Sequence, residues 1–248
     1  MQAAFIGSFA GLLVDAAKRH LRVPCDIILV SDEEAPAMLA ETAVVVTDAF
    51  DQRMGAAAHA LRLVQVAGAG TNGVDPAALR PGVALANCFG HETGIAEYII
   101  GAMLILNRPY FAQDAALRQG QWIGQYAIDG VPPTPFGELG GQTLGILGYG
   151  RIGQELAKRA RAFDMEICAI RSQAGGVVPE GLALLGGPEA LDEVLRRSDY
   201  VAVTLPLTPE TQGLLNTRTL ALLKSSAVLI NVARGDIVDE DAIYEALA

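Results

Sequence analysis

The segment LGILGYGRIGQELAKRARAFDMEICAIRS at 144–172 constrains the fold of this chain more than any other stretch. An apolar run leads into the pattern G-x-G-x-x-G at Gly148, Gly150 and Gly153, a helix-forming stretch follows, and a second apolar run closes the unit. The first glycine permits a tight turn, the second lets the backbone approach a pyrophosphate, and the third lets helix and strand pack closely. The helix N-terminus then offers N–H donors and a positive dipole end to phosphates, with Arg151 in its first turn. The pattern predicts a dinucleotide-binding unit, and its alternative is a plain tight turn in an α/β sheet.

The residue expected to contact the adenosine ribose is basic. Such units usually carry Asp or Glu about 20 residues after the first glycine, where it accepts hydrogen bonds from the ribose, and Arg171 stands there. A guanidinium can bind a 2′-phosphate through two hydrogen bonds, and Ser172 and Gln173 follow as neutral donors. We interpret this as a preference for NADP(H), with NAD(H) as the alternative if Arg171 is only a solvated residue at a strand end.

Apolar runs alternate with helix-forming stretches along the whole chain, which is typical of an α/β fold. Because the runs are continuously apolar, they predict parallel strands covered on both faces. The fold class expected is therefore α/β, with two doubly wound parallel-sheet domains at 1–90 and 91–248. Strands are predicted at 3–9, 25–31, 43–48, 63–70, 83–90, 143–148, 166–171, 200–206 and 227–233. Helices are predicted at 10–21, 92–108, 151–163, 188–197 and 217–224, and an irregular arm at 118–141.

Charge and composition narrow the classes of partner. The net charge of −10 argues against nucleic acid and anionic membranes. The best apolar run, 99–106, is too short to span a bilayer, and the N-terminal segment lacks the basic region of a signal peptide. Cys25, Cys88 and Cys168 are far apart, which gives no metal-site spacing and favours reduced, buried thiols in the cytoplasm. We expect a cytoplasmic protein without a metal site.

Five motifs together resemble one family. They are LGYGRIG at 147–153, TLPLTPETQGLLN at 204–216, INVARGDIVDEDAIYEAL at 230–247, AGAGTNGVD at 67–75 and GIAEYIIGAMLILNR at 94–108. The chain resembles the D-isomer-specific 2-hydroxyacid dehydrogenases and, because of Arg171, their NADP-dependent glyoxylate/hydroxypyruvate reductase branch. The resemblance implies a flavodoxin-like substrate domain, a Rossmann dinucleotide-binding domain, an active site between them, and a homodimer formed through the second domain and its arm.

The resemblance also implies roles for individual residues. The backbone amides of Ala69 and Gly70 would hold the substrate carboxylate, and Arg234 would be the catalytic arginine that clamps this carboxylate and polarises the 2-oxo group. Leu205 and Pro206 would line the adenosine side of the coenzyme, and Val232 and Ala233 would lie near its nicotinamide. The full coenzyme-binding set expected is Gly148, Tyr149, Gly150, Arg151, Ile152, Gly153, Arg171, Ser172, Leu205, Pro206, Val232 and Ala233.

The family's catalytic Glu and His normally follow the NVARG motif and have no counterpart up to Ala248, so we interpret the sequence as a C-terminally incomplete enzyme. His91 is expected to cap a helix or line a wall rather than to replace the missing His, and Glu97 is expected to pair within the structure. The reaction expected is hydride transfer between NADP(H) and a small glyoxylate- or hydroxypyruvate-like 2-oxoacid. Phosphoglycerate, lactate and branched 2-oxoacids stay open as substrates. The alternatives are the same chemistry with NAD(H), a non-catalytic dinucleotide-sensing protein, and an inactive structural subunit.

Overall fold

The chain forms two parallel β-sheets. A computed structural model describes residues 1–124, 133, 136–173, 175 and 177–248. They divide into a first unit, Met1–Gly90, and a second unit, His91–Ala248, each with a five-stranded sheet. All strand pairs in both sheets are parallel, and this confirms the predicted α/β fold class. Residues 125–132, 134 and 135 of the irregular arm predicted at 118–141 lie outside the described residues.

The first unit has its sheet strands in the order β2-β1-β3-β4-β5. These strands are β1 (Gln2–Ile6), β2 (Asp26–Val30), β3 (Thr42–Val46), β4 (Leu63–Gln65) and β5 (Ala84–Ala86). The helices are α1 (Gly7–Leu12), α2 (Val14–His20), α3 (Ala35–Met38) and α4 (Gln52–Ala57). Successive side chains of β1 point to opposite faces: Phe5 packs with Ala10 of α1, and Ile6 packs with Met54 of α4. The sheet is therefore covered on both faces.

The start of the first unit differs from the prediction. The strand predicted at 3–9 ends at Ile6, and the helix predicted at 10–21 is two short helices that meet at Leu13. Gly7 has a φ of +85°, a conformation that glycine adopts without steric cost. The chain can therefore turn from strand to helix within one residue, and the helix begins three positions earlier than the apolar pattern suggests.

The second unit has the strand order β10-β9-β6-β7-β8. These strands are β6 (Thr143–Leu147), β7 (Glu166–Ile170), β8 (Leu184–Gly186), β9 (Tyr200–Val203) and β10 (Val228–Asn231). The helices are α5 (Glu92–Asn107), α6 (Tyr110–Arg118), α7 (Arg151–Ala160), α8 (Leu191–Arg197), α9 (Thr217–Leu220) and α10 (Glu240–Leu247). No helix in the described part of the chain has the length and apolar character that a membrane span requires.

Strand β6 lies at the centre of this sheet, and its side chains separate two cores. Ile146 packs with Met103 of α5 and Leu156 of α7, whereas Leu147 packs with Val194 of α8 on the other face. Because β7 and β9 flank β6 on either side, the chain crosses in opposite directions from the central strand. In open parallel sheets a crevice forms at this switch point, outside the carboxyl ends of the strands, and ligands bind there.

Candidate functional site

A pocket of about 750 Å³ lies at this switch point. Residues that directly follow three neighbouring strands line it: Gly148 after β6, Arg171 after β7 and Thr204 after β9. Of the coenzyme-binding residues expected from the sequence, seven line this pocket. They are Gly148, Tyr149, Gly150, Arg171, Ser172, Leu205 and Pro206.

The first glycine of the pattern is held between two strands. The N–H groups of Gly148 and Tyr149 both donate to the carbonyl of Ile170, at 3.1 and 2.7 Å. On the other side, the Thr204 hydroxyl donates to the Gly148 carbonyl at 2.7 Å. Gly148 has a φ of +111°, and a Cβ there would lie 2.8 Å from the amide nitrogen of Leu205. Backbone conformation and close approach therefore both require glycine at this turn.

The other two glycines differ in the space around them. A Cβ on Gly153 would lie 2.5 Å from the carbonyl oxygen of Gly148, so this glycine permits close contact between α7 and the end of β6. Gly150 has nothing within 4 Å of an added Cβ. It is the N-cap residue of α7, and no side-chain hydrogen bond caps the first turn of this helix. This cradle fits a pyrophosphate bound at a helix N-terminus.

Arg171 lies half-buried on the wall of the pocket. Its backbone N–H donates to Gly186 of β8 at 3.0 Å, which fixes the backbone at the strand end. Its Nε donates to the Gln173 carbonyl at 2.9 Å, and its Nη2 donates to the Gly175 carbonyl. A guanidinium has five N–H donors, so these bonds position the group on its own loop and use only part of its donor capacity.

The opposite wall contains residues that the sequence reasoning did not select. Thr208, Glu210 and Thr211 line the pocket beside the expected Leu205 and Pro206. The Thr211 hydroxyl donates to the Pro206 carbonyl at 2.7 Å, and the Thr208 N–H donates to the same hydroxyl oxygen at 2.8 Å. A hydrogen bond from the Thr208 side chain holds the pKa of the exposed Glu210 carboxyl below its ordinary value. This wall therefore carries a negative charge, and the TLPLTPET motif was the available sequence signal for it.

A second, polar pocket of about 260 Å³ lies where the N-termini of α5 and α7 meet. Its lining residues are Glu92, Thr93, Arg151, Gln154 and Glu155. The expected Arg151 thus lies here rather than on the wall of the larger pocket. Ile152 and Gly153 follow it in the first turn of α7 and line neither pocket.

Two residues near the start of α5 have defined positions. His91 is the N-cap residue of α5, but its side chain makes no capping hydrogen bond. Glu97 forms an ion pair with Arg159 of α7 at 3.4 Å, and this confirms the prediction that Glu97 pairs within the structure. Arg159 also pairs with Glu155 one turn away. These contacts give Glu97 a structural partner across two packed helices.

Arg234 lies in a turn that one side chain holds in place. The Asn231 carboxamide at the end of β10 donates to the Arg234 carbonyl at 2.8 Å and accepts from the Ala233 N–H at 2.9 Å. The Arg234 guanidinium is exposed, and its Nη1 donates to the Ala233 carbonyl at 3.0 Å. Val232 and Ala233 pack against the cores on the two faces of the sheet. None of these residues lines either described pocket.

The residues expected to hold a substrate carboxylate belong to the first unit. Ala69 is half-buried and Gly70 is exposed, in a bend that follows β4.

The cysteines are all free, but only Cys168 is buried, whereas Cys25 and Cys88 are half-buried, so the expectation of three buried thiols was wrong for two. In the described residues, no group of three or more His, Cys, Asp or Glu is arranged to hold a metal ion.

Comparison with known protein families identifies the family to which the second unit belongs. Residues 100–248, which include the whole lining of the 750 Å³ pocket, match the model of the D-isomer specific 2-hydroxyacid dehydrogenase, NAD binding domain. The chain belongs to the D-isomer specific 2-hydroxyacid dehydrogenase family. The resemblance deduced from the five motifs is thereby confirmed, and so is the nicotinamide-dinucleotide character of the second unit.

Individual members of the 2-hydroxyacid dehydrogenase family agree with this assignment. The D-3-phosphoglycerate dehydrogenase of Methanocaldococcus jannaschii is 35% identical over 195 residues, 77% of this chain and 35% of that protein. The glyoxylate reductase of Thermococcus kodakarensis is 33% identical over 242 residues, 94% of this chain and 69% of that protein. A crystal structure of a family protein from Aeromonas salmonicida matches with a TM-score of 0.79 and 26% identity, over 99% of this chain and 76% of that one. The chain therefore spans about a third of the first relative's length.

Proposed function

We propose that this chain provides the coenzyme site and the carboxylate-binding groups of an NADPH-dependent reductase of small 2-oxoacids, such as glyoxylate or hydroxypyruvate. The observation that carries this proposal is the position of Arg171, at the carboxyl end of β7 and on the wall of the pocket that the glycine loop forms. The glyoxylate reductase among the relatives supports the substrate class. The similarity to a D-3-phosphoglycerate dehydrogenase keeps 3-phosphoglycerate as a second candidate substrate.

Different parts of the proposed coenzyme site would bind different parts of the coenzyme. The N–H groups at the start of α7 would bind the pyrophosphate, and Leu205 and Pro206 would contact the adenosine. Arg171, with Ser172 beside it, would bind the 2′-phosphate, because a guanidinium attracts this dianion and a carboxylate at the same place would repel it. Glu210 on the opposite wall is the observation that favours the alternative coenzyme, NADH, because its charge opposes a phosphate.

The proposed chemistry needs a cation and oriented amides at the substrate. NADPH supplies the hydride that reduces C2 of the 2-oxoacid. Arg234 would bind the substrate carboxylate and stabilise the negative charge that develops on the 2-oxo oxygen, since donors aimed at a developing charge lower the barrier. That the amides of Ala69 and Gly70 bind the substrate carboxylate stays a prediction from the sequence. The alkoxide that hydride addition leaves on C2 would take its proton from the His that the family resemblance places after the NVARG motif, and we assign no proton donor among the residues of this chain.

The proposal also covers the oligomeric state and the cellular location of the protein. We expect a cytoplasmic homodimer that forms through the second unit. Tyr98, Leu106 and Phe111 support this, because these side chains on α5 and α6 are 67%, 62% and 73% exposed. A dimer interface on these helices would bury such exposed large apolar side chains.

The test is a pair of fluorescence titrations with NADPH and NADH at fixed ionic strength. We expect the chain to bind NADPH at least about tenfold more tightly, a difference of about 1.4 kcal/mol. Arg171→Ala should remove this preference by weakening NADPH alone. Arg118→Ala is the matched control, because it removes the same charge from an exposed site on α6. Equal affinities in the wild-type chain, or equal losses for both coenzymes in Arg171→Ala, would return the assignment to NAD(H).

A further inference from the structure

Three consecutive carbonyl groups in the first unit accept hydrogen bonds from the same two residues. The Ala67 carbonyl accepts from the Cys88 thiol at 2.9 Å, and the Gly68 carbonyl accepts from the Cys88 backbone N–H at 3.0 Å. The Ala69 carbonyl accepts from the Asn87 carboxamide at 2.7 Å. Asn87 and Cys88 directly follow β5. They therefore hold one side of the bend that follows β4.

The other edges of these peptide units carry the N–H groups of Gly68, Ala69 and Gly70. In a trans peptide the C=O and N–H bonds point in opposite directions. Since the three carbonyls point towards Asn87 and Cys88, the three N–H groups point away from them. No described residue accepts a hydrogen bond from these N–H groups. Successive N–H groups presented in this way form a concavity that binds anions.

We propose that Asn87 and Cys88 are positioning residues, which orient the amides of Gly68, Ala69 and Gly70 towards the substrate carboxylate. The inference rests on the proposed function, because it assumes that this bend binds the carboxylate of a 2-oxoacid. It adds a third amide to the two that the sequence suggested. It also identifies the groups that orient these amides. Donors that are fixed before the ligand arrives need no reorganisation when it binds.

The side chains of Asn87 and Cys88 should contribute unequally to the position of these amides, because their hydrogen-bonding groups differ. Asn87 needs its NH₂ group at this position, because its own carbonyl oxygen facing the Ala69 carbonyl would be repulsive. An aspartate in its place cannot donate a hydrogen bond when it is ionised, and it would add a negative charge near an anion. The Cys88 thiol is a weak donor, whereas its backbone N–H is unaffected by substitution of the side chain. Asn87 should therefore contribute more than the Cys88 side chain.

The experiment follows the three amides by NMR in the ¹⁵N-labelled full chain, saturated with NADPH, during titration with oxamate. Oxamate is a carboxylate analogue of a 2-oxoacid. We expect the amides of Gly68, Ala69 and Gly70 to shift on binding. Asn87→Ala should weaken oxamate binding by about tenfold, as expected for a lost hydrogen bond to a buried or bound group, and Asn87→Asp should weaken it further.

Two sets of variants serve as controls. Cys88→Ala should weaken oxamate binding by roughly threefold, and Cys88→Ser should restore it, because a hydroxyl can donate to the Ala67 carbonyl in place of the thiol. Gln65→Ala removes a carboxamide-to-carbonyl bond of the same kind, to Val66 at 2.8 Å, from a peptide unit that carries none of the three N–H groups. It should leave oxamate affinity unchanged. NADPH affinity should be the same in all variants, which shows that the second unit is folded.

The outcomes separate this inference from the proposed function. If the three amides of the wild-type chain do not respond to oxamate, the proposed carboxylate site is wrong and this inference falls with it. If they respond and Asn87→Ala binds oxamate as tightly as wild type, the inference alone is overturned. If Asn87→Ala does not fold, the Cys88 pair decides, and equal affinities of Cys88→Ala and Cys88→Ser would refute the positioning role.

Discussion

The substitution Gly153→Ala should destabilise the second unit although alanine is the better helix former. Gly153 lies in the first turn of α7, and an added Cβ would lie 2.5 Å from the Gly148 carbonyl oxygen and 3.0 Å from Cγ2 of Ile146. The oxygen belongs to the backbone of a loop that is hydrogen-bonded to both neighbouring strands, so it cannot move aside as a flexible side chain would. The helix must therefore move away from the sheet, or the loop must be distorted.

Two opposing free energies set the size of the effect. Overpacking of this kind costs roughly 1–3 kcal/mol, and replacing glycine by alanine in a helix returns up to about 1 kcal/mol. We expect the free energy of unfolding to fall by about 1–2 kcal/mol, which is a decrease in Tm of about 2–8 °C for a domain of this size. Gly150→Ala is the matched control, since an added Cβ there meets nothing within 4 Å and its φ of −91° suits any residue.

The assay combines thermal unfolding with coenzyme titration for the two variants. Gly150→Ala should unfold within about 0.5 kcal/mol of wild type but bind NADPH more weakly, because its methyl group would occupy the space expected for the pyrophosphate. Gly153→Ala should lose stability even without coenzyme. The reasoning fails if Gly153→Ala is as stable as wild type, or if Gly150→Ala is destabilised by the same amount.

Two further predictions concern titrating groups. The Met54 N–H donates to the Asp51 side chain at 2.9 Å, and this bond, with a smaller contribution from Arg53, lowers the pKa of the Asp51 carboxyl. The ionised Asp51 cap contributes its full share to the free energy of unfolding above the ordinary Asp pKa. This contribution is lost as pH falls through the lowered pKa of Asp51. In urea unfolding at neutral pH, Asp51→Ala should cost about 1 kcal/mol, whereas Asp51→Asn should keep the cap and lose its acid sensitivity; an unchanged Asp51→Ala midpoint would contradict this. Burial raises the pKa of the Cys168 thiol, so mass spectrometry should find it unmodified by thiol reagents until the protein unfolds, and rapid modification in the native state would show otherwise.

The sequence predicted those parts of the fold that depend on local patterns. Every strand predicted from a continuous apolar run overlaps a strand of the structure, and the helix predicted at 92–108 is α5. The glycine pattern located the turn at Gly148, because a φ of +111° and close backbone contact both require glycine there. These features depend on residues near one another in the chain, so spacing alone reveals them.

Features that depend on distant partners could not be predicted in this way. Strand β8 consists of Leu184–Gly186, among glycines that favour a loop, and it is a strand because it pairs with β7. The hydrogen bond from Thr204 to Gly148 joins residues far apart in the sequence. The same holds for the bonds from Asn87 and Cys88 to the bend after β4, since no sequence pattern shows which carbonyl a side chain will reach.

The attachment of the glycine loop to both neighbouring strands has a consequence for how the site fluctuates. The loop N–H groups donate to Ile170 at the end of β7, and its carbonyl accepts from Thr204 after β9. The loop can therefore open only when contacts at the centre of the sheet open with it, and such central elements are the last to exchange their amide protons with solvent. A ligand that enters this pocket meets a loop that is already ordered, so little conformational entropy is lost when it binds.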